Sequence, residues 1–396
     1  MSEKDIEYQL KVLLRGVSDI VSVEELKQKL QTKKQLTVKI GVDPTAPDIH
    51  LGHVVILNKL RQFQEFGHKV VFIIGDFTAR IGDPSGRNNT RPILSEEEIL
   101  NNAKTYTQQV FKILDKEKTE VVYNSQWLYP LGIDGLLQLC SKYTVARMLE
   151  RDDFNNRYKN NIPITILEFI YPLLQGYDSV VVKADVEIGG NDQKFNLVVG
   201  RDLQKDADQQ PQVIITMPLL EGTDGVRKMS KSYKNYIAVN DPPKDMFGKI
   251  MSIPDSIMPK YFELLTNEDM KKVEEMIKNN PKEAKSYLGY LIVKQFYGEE
   301  EAKNAQQEFE QVFSKKELPS DTPIIKVEKK KYELIDLLIQ HNLVNSKSEA
   351  KRLLAQNGIK VNREKIDKNI ILDFVENPQE ILVQIGKLKF VKFLPE

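Results

Sequence analysis

Cysteine is almost absent: Cys140 stands alone among 396 residues. A lone thiol excludes an intrachain disulfide, a thiolate-rich zinc site and a cysteine-ligated iron–sulfur cluster. Histidine is scarce as well, with four copies, and there is a single tryptophan. No apolar run approaches the roughly 20 residues that a membrane-spanning helix needs. Net charge is missing too, since 57 basic residues balance 57 acidic ones. Any basic surface for a nucleic acid must therefore be local. The usual phosphate loops, G-x-x-x-x-G-K-[ST] and G-x-G-x-x-G, are not found, nor is an internal repeat or a low-complexity tract. The segment Met1-Ser2-Glu3-Lys4-Asp5 is polar and acidic, which argues against a signal or transit peptide. A reduced cytoplasm is the expected compartment.

What is present is ordinary for a folded chain: 41% hydrophobic and 29% charged residues, enough length for two or three domains. Residues 5–30 carry apolar positions at helical spacing, among them Ile6, Leu10, Leu13 and Leu14. Thr37–Val42 is a short strand. The prolines of Asp43-Pro44-Thr45-Ala46-Pro47-Asp48 then forbid helix and ladder alike. From His53, apolar residues recur at three- and four-residue steps until Gly67, a favoured helix-ending residue. Lys69–Gly75 reads as a strand buried on both faces of a parallel sheet. Residues 37–75 thus make a βαβ unit with an expected right-handed crossover. Residues 95–160 and 244–313 read as mainly helical, and Gln212–Leu220 as a further strand. Pro319, Pro323 and many charges mark residues 319–332 as a linker. Two helical patterns and short strands follow, around Gly358–Val361 and Ile381–Leu394.

Two of the four histidines lie together in His50-Leu51-Gly52-His53, where a strand's loop enters a helix. Ligands of open parallel sheets bind at the carboxyl ends of strands, and a helix N-terminus favours phosphate. Gly52 leaves room for a flat base against the backbone. A lone His-x-x-His is also compatible with core filler. A zinc pair fits less well, because the Glu of His-Glu-x-x-His is missing. The second piece is Lys228-Met229-Ser230-Lys231-Ser232, after the turn Gly222-Thr223-Asp224-Gly225. Two lysines three apart on a glycine-flanked loop can close over a triphosphate.

Together these stretches resemble class I aminoacyl-tRNA synthetases: Pro44 to His53 is similar to the HIGH signature, and Lys228 to Ser232 matches KMSKS. Gly75 to Gly86, Tyr171-x-x-x-Gln175-x-x-Asp178 and Gly189-Gly190-Asn191-Asp192-Gln193 narrow the resemblance to the tyrosyl family, in its second, KMSKS-containing bacterial branch. The resemblance implies an α/β fold with a Rossmann-like parallel-sheet catalytic domain, a helical domain and a small α+β module. It also implies two steps: tyrosine attacks the α-phosphate of ATP, and the tyrosyl group then passes to tRNA. Thr45, His50, His53, Lys228 and Lys231 would be catalytic. Asp43, Gly52, Arg87, Gly190, Asp192, Met229, Ser230 and Ser232 would complete the ATP site, with Asp192 on the ribose. Magnesium would arrive with ATP, held mainly by phosphates, without a resident metal site. Gly41, Asp43, Asp83, Tyr171, Gln175 and Gln193 would surround the amino acid, and Asp178 would read its phenolic hydroxyl. The last three helix residues, at i, i+4 and i+7, share one stripe, which Pro172 is expected to kink. Where the better-known branch has a tyrosine that also touches the hydroxyl, this chain has Lys39, which either pairs with Asp178 or points away.

Residues 333–396 resemble the S-four RNA-binding module, through Val344 to Leu354 and Gly358 to Asn362. Ser346 and Glu349 form an expected capping box. Ala350, Leu353 and Leu354 face the module core. Lys347, Lys351, Arg352 and Lys360 belong to a stretch, 345–368, with a local basic excess of four, suited to tRNA phosphates. The expected organisation is 1–240 catalytic, including dimer-interface helices at about 125–160, then 241–318 helical and on the anticodon side, 319–332 linker, and 333–396 RNA-binding. A homodimer without membrane contact is expected. The alternatives are a tryptophanyl enzyme of the same class, a non-catalytic RNA-binding relative and a small-molecule adenylyltransferase.

Overall fold

A computed structural model describes residues 2–44, 48–84, 95–314, 322–386 and 389–396. Thr45 and Arg87 lie outside the described residues. The chain forms two compact units, residues 1–298 and 299–396. Among the described residues no helix is long and apolar enough to cross a membrane.

The first unit is built on six strands: β1 (Asp19–Val21), β2 (Thr37–Val42), β3 (Lys69–Ile74), β4 (Thr119–Tyr123), β5 (Val186–Gly190) and β6 (Val213–Met217). Their spatial order is β1-β6-β5-β2-β3-β4. All neighbours run parallel except β1, which lies antiparallel on β6. β3 is buried from Val70 to Ile74, and β5 and β6 are buried throughout, as continuous apolar runs between helical layers should be. From β2 the chain builds outward through β3 to β4, then returns to the other side of β2 with β5 and β6. The reversal point lies between β2 and β5, and there the strand ends open a crevice.

Three strands escaped the periodicity, β5 among them because its five residues end in Gly189-Gly190. β4 falls in the stretch read as helical, because five residues with charged flanks (Lys118, Glu120) give no clear alternation. β1 has three residues and is defined by its pairing alone. The helix Ile166–Val181 holds Pro172 in its interior and continues past it. It starts from a reciprocal Thr165–Glu168 capping box and packs against the helix Lys194–Asp206. The expected boundary at 240/241 separates nothing in space. Helices Pro243–Ser252 and Met258–Leu265 belong to the first unit: Tyr261 donates its hydroxyl to the Glu221 carbonyl (2.7 Å), and Tyr297 reaches that of Val239 (3.3 Å). The helical stretch Pro281–Ser314 breaks at Gly298, whose φ is +86°, a region glycine enters without penalty.

The second unit holds β7 (Ile324–Val327), β8 (Lys331–Glu333), β9 (Ile359–Val361), β10 (Glu364–Ile366), β11 (Ile371–Asp373), β12 (Ile381–Ile385) and β13 (Lys389–Pro395). β7 and β8 fall within or overlap the stretch read as linker. β7 closes a five-stranded sheet by running parallel to β13. Its charged and proline-flanked sequence hides a strand that exists only through this long-range partner. Helices Leu334–Gln340 and Lys347–Ala355 cover the sheet, with Leu337, Leu338, Ala350 and Leu354 in the core.

Candidate active site

The crevice sits where β2, β3 and β5 end. β2 delivers Asp43, β3 delivers Gly75, and β5 delivers Gly190 followed by Asp192. A cavity of about 230 Å³ opens here, lined by Gly41, Asp43, Asp83, His53, Tyr171 and Gln193, among others. Asp43 is the hub. Its two carboxylate oxygens accept from the hydroxyls of Thr78 (2.7 Å) and Tyr171 (2.9 Å). Burial pushes the Asp43 carboxyl up to about 7, with Asp83 and Asp178 adding to the rise against those two hydrogen bonds. Asp43 and Asp83 both line this small space and favour an incoming cation. Gly75 is required at this spot: a Cβ there would lie 2.2 Å from Asp43 Oδ1 and 2.4 Å from Thr78 Oγ1.

Deeper on the same helix, Gln175 and Asp178 are buried but do not line that cavity. Asp178 accepts from the indole of Trp127 at 2.8 Å and from Asn124 at 3.4 Å. Burial raises its carboxyl to about 7, against the lowering effects of Lys39 and the two donors. Gln175 Oε1 accepts from Asn196 (2.9 Å), whose own Oδ1 accepts from Arg151 (3.2 Å). Lys39 does not pair with Asp178. Its ammonium is fully buried and donates to Glu187 (2.7 Å), Ser179 Oγ (2.8 Å) and the carbonyl of Gln175 (3.1 Å). Residue reading missed Glu187, Asn124, Asn196 and Thr78. A carboxylate facing a lysine across two neighbouring strands leaves no local spacing. The one available signal was Trp127, a single tryptophan within the stretch read as dimer-interface helices.

On the opposite wall, His50 precedes the helix Leu51–Glu65 as its N-cap. The His50 N–H donates to His53 Nδ1 at 3.2 Å, and the two rings lie 4.0 Å apart. Burial holds both imidazoles neutral, His53 down to about 4 and His50 to about 2, with Lys231 depressing each further. A neutral His53 that accepts at Nδ1 keeps its proton on Nε2, where it can donate to a phosphate oxygen.

The loop Lys228–Ser232 reaches this wall. The Leu51 N–H donates to the Ile237 carbonyl (3.0 Å), and Val239 to Ile49 (2.9 Å), so the segment after the loop is stitched to the histidine step. Met229 lies above Gly52, where an added Cβ would sit 3.7 Å from the Met229 Cβ. Lys231 bonds Asp48 at 2.8 Å, and Lys228 approaches Asp192 at 3.5 Å. Asn235 holds the loop from below. Its side chain donates to Asp224 and to the carbonyls of Arg227 and Lys228, and accepts from Ser230 N–H at 2.9 Å. The lysines thus rest on carboxylates beside the histidines, positioned to transfer to a polyanion. Ser232 N–H bonds Ser230 Oγ at 3.3 Å. Among the described residues no three or more carboxylate, imidazole or thiolate side chains gather as a cation cage.

In the second unit Lys347, Lys351 and Arg352 are exposed and Lys360 half-exposed. Lys347 pairs with Asp336 at 2.7 Å. The expected capping box is half formed: Ser346 Oγ accepts from Glu349 N–H, but Glu349 reaches one residue further back, to the N–H of Asn345.

The profile of class I tRNA synthetases (W and Y) matches residues 31–314, and that of the tyrosine–tRNA ligase SYY-like C-terminal domain matches 308–390. The chain is 56% identical over 388 residues to a tyrosine–tRNA ligase of Aquifex aeolicus, covering 98% of each chain. It is 53% identical over 392 residues to that of Thermotoga maritima, covering 98% of this chain and 97% of the relative. In fold it is similar to a tyrosyl-tRNA synthetase of Archaeoglobus fulgidus solved with L-tyrosine (TM-score 0.63, 24% identity, 76% of this chain and 99% of that one). A tryptophanyl-tRNA synthetase of Plasmodium falciparum shares the fold too (TM-score 0.59, 16% identity, 78% of this chain and 89% of that one).

Proposed function

The chain belongs to the class I tRNA synthetases of the tryptophan and tyrosine group, which implies use of ATP, and from that premise we propose that it is a tyrosine–tRNA ligase. The observation that carries this reading is the meeting of the His50–His53 step and the Lys228–Lys231 loop beside the Asp43 cavity. In the first step the carboxylate of tyrosine attacks the α-phosphorus of ATP and pyrophosphate departs. The nucleophile is already ionised, so positioning and electrostatic stabilisation replace general-base catalysis. Asp43, Asp83, Tyr171, Gln175 and Gln193 hold the ammonium end, and Asp178 accepts the phenolic hydrogen. Gly41 and Gly52 keep the walls low for substrate and base. His50 and His53 donate to phosphates, and Lys228 and Lys231 leave Asp192 and Asp48 for the pyrophosphate. Gly190 and Asp192 then receive the ribose, with Met229, Ser230 and Ser232 shaping the closing loop. Thr45 and Arg87 are assigned to the phosphates by family likeness. Magnesium supplies charge neutralisation when bound with ATP. The residues present suit a cation held mainly by phosphate oxygens.

In the second step the tyrosyl group passes to the 3′ end of its tRNA. Lys347, Lys351, Arg352 and Lys360 provide local positive charge for that RNA, in a division of labour with 241–318 toward the anticodon side. The setting is the cytoplasm. The active form is a homodimer, supported by exposed apolar side chains clustered between 125 and 170: Ile133 (78% exposed), Ile166, Val145, Leu137 and Tyr158. Exposure of this extent marks an interaction face. A tryptophan-activating enzyme is the second reading, favoured only by the shared fold. Exchange of labelled pyrophosphate into ATP with each of the twenty amino acids decides between them. Tyrosine alone should support exchange, and exchange with tryptophan instead would overturn the assignment.

A further inference from the structure

Directly behind the helix that carries Tyr171, Gln175 and Asp178 lies a charged cluster that the reaction itself does not use. Lys39 on β2 and Glu187 on β5 are 0% and 2% exposed at their side chains and bond at 2.7 Å. Glu187 also accepts from Ser179 Oγ at 3.0 Å and from the side chain of Gln212. Lys39 in turn bonds the Gln175 carbonyl and Ser179 Oγ. These two contacts lie four residues apart on the helix and enclose the turn bearing Asp178. A buried ion pair gains little stability over an apolar pair of the same size. Its place, clamped on that one turn, calls for another explanation.

We propose that Lys39 is a positioning and specificity-determining residue: held by Glu187, it fixes the Asp178 turn and supplies the positive potential that keeps Asp178 an ionised acceptor for the substrate's hydroxyl. The inference rests on the tyrosine-activating reading above.

Among the described residues, the charged and titratable groups that face Asp178 are few. Lys39 comes from β2 and Glu187 from β5. Asp43, at the end of β2, and Tyr171, on the same helix, interact with it through space. Trp127 and Asn124 add neutral donors. Lys39 is therefore the one cation in this set. A carboxylate in such a site takes up a proton more readily once the cation is removed. The protonated form loses the charge-assisted hydrogen bond that distinguishes tyrosine from phenylalanine.

The test is the pH dependence of tyrosine-dependent pyrophosphate exchange between pH 6 and 8.5. Lys39→Met alone strands Glu187 in the core and risks misfolding. The double variant Lys39→Met/Glu187→Gln removes both charges, keeps an acceptor for Ser179 and Gln212, and is checked by thermal melting. In the double variant the rise of the tyrosine KM on acidification should move upward by about one pH unit. That is about a fivefold higher KM near pH 7, approaching tenfold toward pH 6, with little change at pH 8.5 and a kcat within about twofold of the parent. Preference over phenylalanine should fall at pH 7 and recover at 8.5. Lys39→Arg, which keeps the charge, should retain the parent profile. A KM raised by the same factor at every pH, or a profile that coincides with the parent's, would overturn the inference alone. Failure of the parent protein to exchange with tyrosine would overturn the underlying reading and the inference with it.

Discussion

We propose that amino-acid choice turns on Asp178. It is 2% exposed, and its oxygens are held by Trp127 and Asn124, so the carboxylate cannot swing toward a different ligand. Asp178→Asn exchanges a charged acceptor for a neutral one and should weaken tyrosine binding by about 2 kcal/mol. Phenylalanine, which offers no hydroxyl, should lose far less. Exchange kinetics with both amino acids measure this, and an unchanged ratio would remove Asp178 from its role. Much of this site was legible in the chain, because Tyr171, Gln175 and Asp178 share a helical period and His50 and His53 sit three apart. The supporting residues were not. Glu187, Asn124 and Asn196 stand 148, 54 and 21 positions from the side chains they hold, and no local pattern encodes such distances. Lys39 shows the same limit: its identity raised the question of a partner, and only the adjacency of β2 and β5 answers it.

Elements were read correctly where their periodicity is strong. The His50 helix carries a clear 3.6-residue period, β3 an unbroken apolar run, and β2 an alternation through Val38, Ile40 and Val42. β1, β4 and β7 are three to five residues long and depend on distant partners, so the chain gives them no signature of their own. Pro172 lies inside its helix, which continues past the one hydrogen bond that proline removes. The lysine loop is an element with few internal bonds, and Asn235 supplies most of them. Asn235→Ala should therefore loosen the loop and raise the KM for ATP severalfold. The KM for tyrosine should be unaltered, since the Asp43 cavity lies on other elements. Steady-state exchange at varied ATP and varied tyrosine separates the two. An equal effect on both would mean that Asn235 supports the fold rather than the loop.

At the scale of the whole molecule, we propose that the two compact units divide the two steps. The crevice, the histidine step and the lysine loop all lie within residues 1–298, while the local basic excess lies beyond Gly298. A chain ending at Gly298 should keep pyrophosphate exchange within a fewfold of the parent yet lose most tRNA charging at physiological salt, as phosphate contacts are lost. Equal survival of both activities would mean that the second unit does not grip RNA. The central claim, that the His50–His53 wall and the lysine loop close on one triphosphate, has a direct readout in Trp127, the single tryptophan, which touches Asp178. Its fluorescence should follow tyrosine binding and adenylate formation as separate phases in a rapid-mixing experiment. In Lys231→Ala the binding phase should keep its affinity, and adenylate should form roughly 100-fold more slowly. Adenylate formation at the parent rate would contradict the account.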